Sequence, residues 1–166
     1  MKRITLMAVV SFVSASILAC SSGTDQLVLS QERMGQVVFG ASLKSVEDVL
    51  GEDVSNQVSD SECSMVSFKA YPGTLFMVES GVVTRADAAA DVPNVLGIKV
   101  GDSREAVLGN YPKAHVERHK YLEGGYYLTF PSKDGKAAIV VEVGADKVLN
   151  IRAGLQPSVS YVERCS

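Results

Sequence analysis

Val37-Val38-Phe39-Gly40-Ala41-Ser42-Leu43-Lys44-Ser45-Val46 returns 61 positions later as Ile98-Lys99-Val100-Gly101-Asp102-Ser103-Arg104-Glu105-Ala106-Val107. Both stretches read apolar-x-apolar-Gly-x-Ser-x-x-x-Val, and each has an apolar residue four positions further on, Leu50 or Tyr111. The apolar residues suit a packed entry, the glycine permits a tight turn, and Ser42 or Ser103 is placed to cap a helix. Asp102 with Glu105 offers a capping box as an alternative start for the second helix. Val46, Val49 and Leu50, then Val107, Leu108 and Tyr111, fall on one helical face, and Gly51 and Pro112 end the two short helices.

Each helix is followed by β-rich runs. After the first come Met65–Lys69, Thr74–Glu79 and Val82–Ala86; after the second come Tyr126–Phe130, Ala138–Val143 and Val148–Arg152. Pro72-Gly73, Gly81, Asp134-Gly135 and Asp146 supply turn signals between them. His115–Tyr121 reads as a further strand, closed by Glu123-Gly124-Gly125. Val78-Glu79-Ser80-Gly81 matches Val141-Glu142-Val143-Gly144 at a separation of 63, which sets Glu79 against Glu142. The expected fold class is α+β: two tandem repeats, residues 33–92 and 93–166 with a C-terminal tail, each a short helix plus an antiparallel meander. A unit of about 60 residues buries little core alone, so the two are expected to form a shared or adjoining sheet.

The first residues, MKRITLMAVVSFVSASILAC, carry Lys2 and Arg3 before an apolar run from Leu6 to Ala19. The run is shorter than the roughly 20 residues of a spanning helix and suits a secretory signal peptide over 1–19. Ile17-Leu18-Ala19-Cys20 resembles a bacterial lipobox. That resemblance implies a diacylglycerol on the Cys20 sulfur, cleavage before it, and acylation (palmitate among the acyl groups) of the new amine. Several acyl chains anchor firmly where one would be marginal. With Ser21 rather than Asp after the lipidated cysteine, the resemblance implies the outer membrane of a Gram-negative envelope, facing the periplasm. Residues 20–32 are expected to form a flexible lipidated tether, with the fold starting near residue 33.

The Gly-x-Ser-x-x-x-Val helix with its meander also resembles small envelope modules. These are the small lipoprotein of the β-barrel assembly machinery and the tandem-repeat β-lactamase inhibitor proteins. The tail through Arg152-Ala153-Gly154, Pro157-Ser158-Val159 and Tyr161-Val162-Glu163 resembles a widespread proteobacterial lipoprotein group of unassigned function. Trp is absent, which departs from the aromatic-rich faces of the inhibitors.

Of the three cysteines, Cys63 and Cys165 remain once Cys20 is lipidated. In an oxidising exported compartment an even pair is expected to form a disulfide, tying the tail to the first repeat. The alternative is two buried free thiols. His115 and His119, spaced by four with Glu117 between, could make a two-point metal site, but no motif signals a third ligand; a solvated pair is the plainer reading. Ser42 and Ser103 lack the second glycine of a nucleophile elbow and recur as caps would. Glu79 and Glu142 could pair for acid–base work or simply face solvent beside turns. Tyr121, Tyr126, Tyr127 and Phe130 are the densest aromatic cluster. Alternation places Tyr126, Leu128 and Phe130 on one face and Tyr127 on the other. Arg118, Lys120, Tyr121 and Tyr127 thus form a candidate contact patch, with ordinary sheet packing as its alternative.

The net charge is −3, with 16 Lys+Arg against 19 Asp+Glu and no basic run, which speaks against nucleic acid. No cofactor and no catalytic centre are expected. The functional expectation is a non-enzymatic protein-binding or envelope-maintenance module whose partners are the membrane, through its anchor, and another envelope protein. The alternative is an inhibitor or sequestering protein of a hydrolase.

Overall fold

A computed structural model describes residues 27–165. The expected signal peptide and the lipidation residue Cys20 lie outside these residues. Within them the chain forms an α+β fold around one antiparallel sheet of seven strands. A small hairpin comes first, β1 (Arg33–Met34) with β2 (Val37–Val38), followed by α1 (Leu43–Leu50). Then come β3 (Cys63–Val66), β4 (Leu75–Glu79) and β5 (Val82–Asp87). After α2 (Arg104–Asn110) the chain continues with β6 (His115–Arg118), β7 (Tyr126–Pro131), β8 (Ala137–Gly144) and β9 (Lys147–Leu155). The strand order is β3-β4-β5-β9-β8-β7-β6. The seam is the β5–β9 pairing of Arg85 with Gly154, Ala86 with Ala153 and Asp87 with Arg152.

One sheet face carries the main core. Leu43 and Val46 of α1 and Val107 of α2 pack with Phe76, Val78, Val83, Leu128, Ile139, Val141, Ile151 and Ala153. Val49, expected on the packed face, is 60% exposed. At 3.6 residues per turn it lies about 120° around the helix from Leu43, whose side chain points at the sheet. The first strand also differs from expectation, running from Cys63 to Val66 and not from Met65 to Lys69. Phe68 and Tyr71 leave the strand to stack edge-on against Phe76, at centroid distances of 5.3 and 5.6 Å.

The chain joins the fold earlier than residue 33. Leu29 is fully buried, donates its N–H to the Pro93 carbonyl and accepts from Val95 N–H, both at 2.9 Å. Any tether therefore ends before Leu29, because a leucine side chain gains more in the core beside Met34 than in water.

Both glycine–serine motifs dock in the same way. Gly40, at φ +96°, donates its N–H to Val83 O at 2.8 Å, while Val83 N–H donates to Ala41 O at 2.9 Å. Gly101, at φ +92°, donates to Val148 O at 2.8 Å, while Val148 N–H donates to Asp102 O at 2.9 Å. Ser42 Oγ accepts from Ser45 N–H and Ser103 Oγ from Ala106 N–H, each at 3.1 Å. Serine is thus the cap in both helices. The Asp102–Glu105 box does not form, because the Asp102 carboxylate accepts from Lys99 N–H at 2.8 Å. Replacing either glycine by valine is expected to cost about 1–3 kcal/mol, since a β-branched residue is strained at positive φ. Unchanged urea midpoints for Gly40→Val and Gly101→Val would refute this.

The hairpin turns correct the expected alignment. Ser80-Gly81 and Ala145-Asp146 are the positive-φ pairs, and the register shifts fall at Met77/Val78 and Glu142/Val143. The two turns and their register shifts thus lie 65 residues apart, a spacing that matches Glu79 to Gly144 in sequence and not to Glu142.

Candidate functional site on the face beneath the C-terminal strap

The second sheet face carries charge where alternation would leave it in water. Arg85 and Asp87 project from β5 and Arg152 from β9; they are 2%, 3% and 2% exposed. The chain after β9 makes this possible. Residues 156–165 cross back over the face as a strap, including a 3-10 turn over Ser158–Ser160. Val159 is fully buried with Tyr127, Ala138 and Val140. Arg85 grips Asp87 with two bonds, at 2.7 and 3.1 Å, and donates to the strap carbonyl of Tyr161 at 2.9 Å. Arg152 donates to Val159 O at 2.8 Å and lies 3.5 Å from a Glu142 oxygen. Arg164 of the strap returns to Asp87 at 2.6 Å. Glu79 accepts from Thr84 at 2.6 Å and from the strap hydroxyl of Ser158. Burial, and then the neighbouring Arg85 charge, pulls the Arg152 guanidinium below its usual range.

Beside this layer sits His119, beyond the end of β6. Its ring stacks on Tyr127 at 4.5 Å. Nδ1 accepts from the N–H groups of Tyr121 and Leu122, both at 3.0 Å, so the proton resides on Nε2 and points at Glu142, 2.8 Å away. Both nitrogens are engaged. His115 is exposed and lies 3.5 Å from Glu117, so the two histidines do not converge. Among the described residues no group of three or more His, Cys, Asp or Glu is placed to hold a metal.

The expected contact patch is divided. Tyr127 does not belong to it: its ring is 8% exposed, packed between His119 and the strap and facing Arg152 at 5.4 Å. The strap covers the face that alternation assigned to solvent. Arg118 is exposed on the edge strand β6. Tyr121 is 62% exposed; its hydroxyl donates to Glu163, and Lys120 lies 3.5 Å from the same carboxylate. The Tyr121 hydroxyl holds the Glu163 carboxyl below its usual range. Leu122 and Leu149, both exposed, close together over Gly144, where a Cβ would meet Leu149 Cδ1 at 2.6 Å. Neither leucine was singled out by sequence patterning, since the turn that aligns them lies in separate hairpins. Cys63 and Cys165 are bonded, with Cα atoms 5.4 Å apart, so the disulfide ties the strap to the first strand of the sheet as expected.

The Tyr127 hydroxyl is buried and makes no hydrogen bond among the described residues. Burial first, then the Glu142 charge, raises its pKa above the free value of 10.0. Below pH 10 the hydroxyl is protonated in folded and unfolded chains alike. Above it the unfolded chain gives up the proton first, and stability falls as pH rises towards the folded pKa. Tyr127→Phe is expected to raise stability by about 1 kcal/mol at neutral pH, by removing an unpaired buried polar group, and to flatten the alkaline decline. Superimposable melting curves for the two proteins between pH 8 and 11 would contradict this.

No protein-family model matches the chain, and no curated protein matches it. Among solved structures, it is similar to a DUF4309 family protein, YjgB, from Bacillus subtilis. The TM-score is 0.47 at 11% identity, over 78% of this chain and 88% of that one. No helix among the described residues is long and apolar enough to cross a membrane.

Proposed function

We propose that this protein is a lipid-anchored cell-envelope module that binds another envelope protein and performs no catalysis itself. The observation that carries the binding reading is the exposed set of Tyr121, Leu122 and Leu149, bordered by Lys120 and Glu163, with Arg118 exposed on the adjoining edge strand. An exposed tyrosine among apolar side chains, framed by charge, has the composition of a protein contact. The anchoring reading rests on the lipobox ending at Cys20, with Ser21 favouring the outer membrane and a periplasmic orientation. A cross-sheet disulfide fits an oxidising compartment. From Cys20 to Leu27 an extended chain reaches roughly 25 Å, enough to hold the sheet clear of the lipid headgroups. The equivalent docking of the two glycine–serine motifs on their hairpins supports a tandem helix-plus-meander architecture. The non-catalytic reading is supported by occupied candidates: Ser42 and Ser103 cap helices, and both His119 nitrogens are bonded.

Two measurements test this. Cys20→Ala is expected to abolish fatty-acid incorporation and move the protein out of the membrane fraction; labelled acyl chains on that variant would overturn the anchor. A photo-crosslinking residue at position 121 is expected to trap a discrete protein adduct in intact envelopes, while the same residue at Lys133, on an exposed turn, traps none. Adducts at neither position, or equally at both, would overturn the contact surface.

A further inference from the structure

The strap is held unevenly along its length. Ser158 and Val159 are buried, and Val159 plugs an apolar socket formed by Ala138, Val140 and Tyr127. Beyond Val159 every residue to Cys165 is exposed or half-buried. Besides the disulfide, the outer half packs half-buried Val162 against this socket and keeps three polar links to the rest of the protein. The Tyr161 carbonyl accepts from Arg85, Arg164 pairs with Asp87 while 49% exposed itself, and Glu163 meets Tyr121 and Lys120. The Lys120–Glu163 pair is exposed on both sides and contributes little by itself. The covalent bond is therefore the main restraint on residues 160–165. Both of its cysteines are half-buried and neither is sealed in the core.

We infer that Cys63–Cys165 is a redox latch on residues 160–165, and that opening it uncovers the Arg85–Asp87 pair and releases Lys120 and Tyr121 from Glu163. The Val159 plug stays in place, because its apolar burial does not depend on the latch. The chemistry is thiol–disulfide exchange with a dithiol reductant. Its thiolate attacks one sulfur and the cystine S–S bond breaks as a mixed disulfide forms; the reductant's second thiolate then displaces the cysteine. Two electrons and two protons pass to the protein, which gains two thiols, and the reductant becomes a disulfide. Once Glu163 leaves, Lys120 and Tyr121 lose the carboxylate that neutralises and caps them. The consequence for a partner rests on reading their surface as the contact site; the latch itself does not.

The test is fluorine NMR on the full-length protein in detergent, labelled with 3-fluorotyrosine and recorded oxidised, dithiol-treated and reoxidised. The resonances of Tyr121 and Tyr161, which lose the contacts to Glu163 and Arg85, are expected to shift on reduction and to return on reoxidation. Tyr71 and Tyr111, in the main core, should stay unmoved. The Cys63→Ser/Cys165→Ser protein should show the reduced spectrum with or without dithiol. Unmoved Tyr121 and Tyr161 signals would overturn the latch, as would movement of all four, which would mean unfolding. If the shifts occur while crosslinking at position 121 finds no partner, the latch stands and the contact surface falls.

Discussion

Asp87→Ala is expected to lower the unfolding free energy by about 3–5 kcal/mol, the cost of removing one member of a buried ion pair. The carboxylate accepts from Arg85 through both oxygens and from Arg164 of the strap, and its strand neighbour Arg152 is a second buried guanidinium. Without it, two arginines that are each 2% exposed remain with too little negative charge beside them. Desolvated charge of one sign is far more costly than a desolvated pair. The same reasoning gives the control: Arg85→Met/Asp87→Leu removes both charges and should recover much of the loss. Urea midpoints of the three proteins decide the matter. An alanine variant within 1 kcal/mol of the parent would show that water reaches this layer and screens it.

The second large effect belongs to the disulfide, which closes 102 residues of sequence. Chain entropy for a loop of that size gives ~4.7 kcal/mol, and measured effects usually fall short, so Cys63→Ser/Cys165→Ser is expected to lose about 2–4 kcal/mol. Against a total of ~5–15 kcal/mol the variant should melt well below the oxidised parent, and reductant should add nothing further to it. Counting thiols under denaturing conditions supplies the other half of the test. Two reactive thiols in oxidised material, Cys20 aside, would remove the bond and the restraint on the strap together.

What could be read from the sequence was whatever local chemistry decides. Ser42 and Ser103 announced both helix starts, because a hydroxyl three residues before an open N–H is a short-range arrangement. Val82–Ala86 and Val148–Arg152 were recognisable as β-rich runs, but their pairing into the seam was not, since nothing in either stretch names its neighbour. The candidate site was hidden for a related reason. Arg85, Asp87 and Arg152 sit where a period of two places polar side chains in solvent, and only the returning strap converts that face to interior. Tyr127 was misassigned to the surface by the same omission. Glu79 and Glu142 looked equivalent because Val-Glu recurs, yet the turn pairs set the hairpins two residues away from that match.

The β5–β9 seam has a consequence for how the chain is delivered. Ribosomes and translocation channels release a protein from its N-terminus, so β5 emerges about 60 residues before the strand that pairs with it. Throughout that interval the hairpin of β4 and β5 presents an open edge, the kind of surface that recruits foreign strands. The later hairpin of β8 and β9 forms from neighbouring sequence and arrives with its partner edge ready, which makes it the template on which the earlier half settles. Cys63 waits longer still, because its partner lies 102 residues further along. Correct oxidation can therefore happen only after Cys165 is out, and a thiol exposed early must be kept from other cysteines until then.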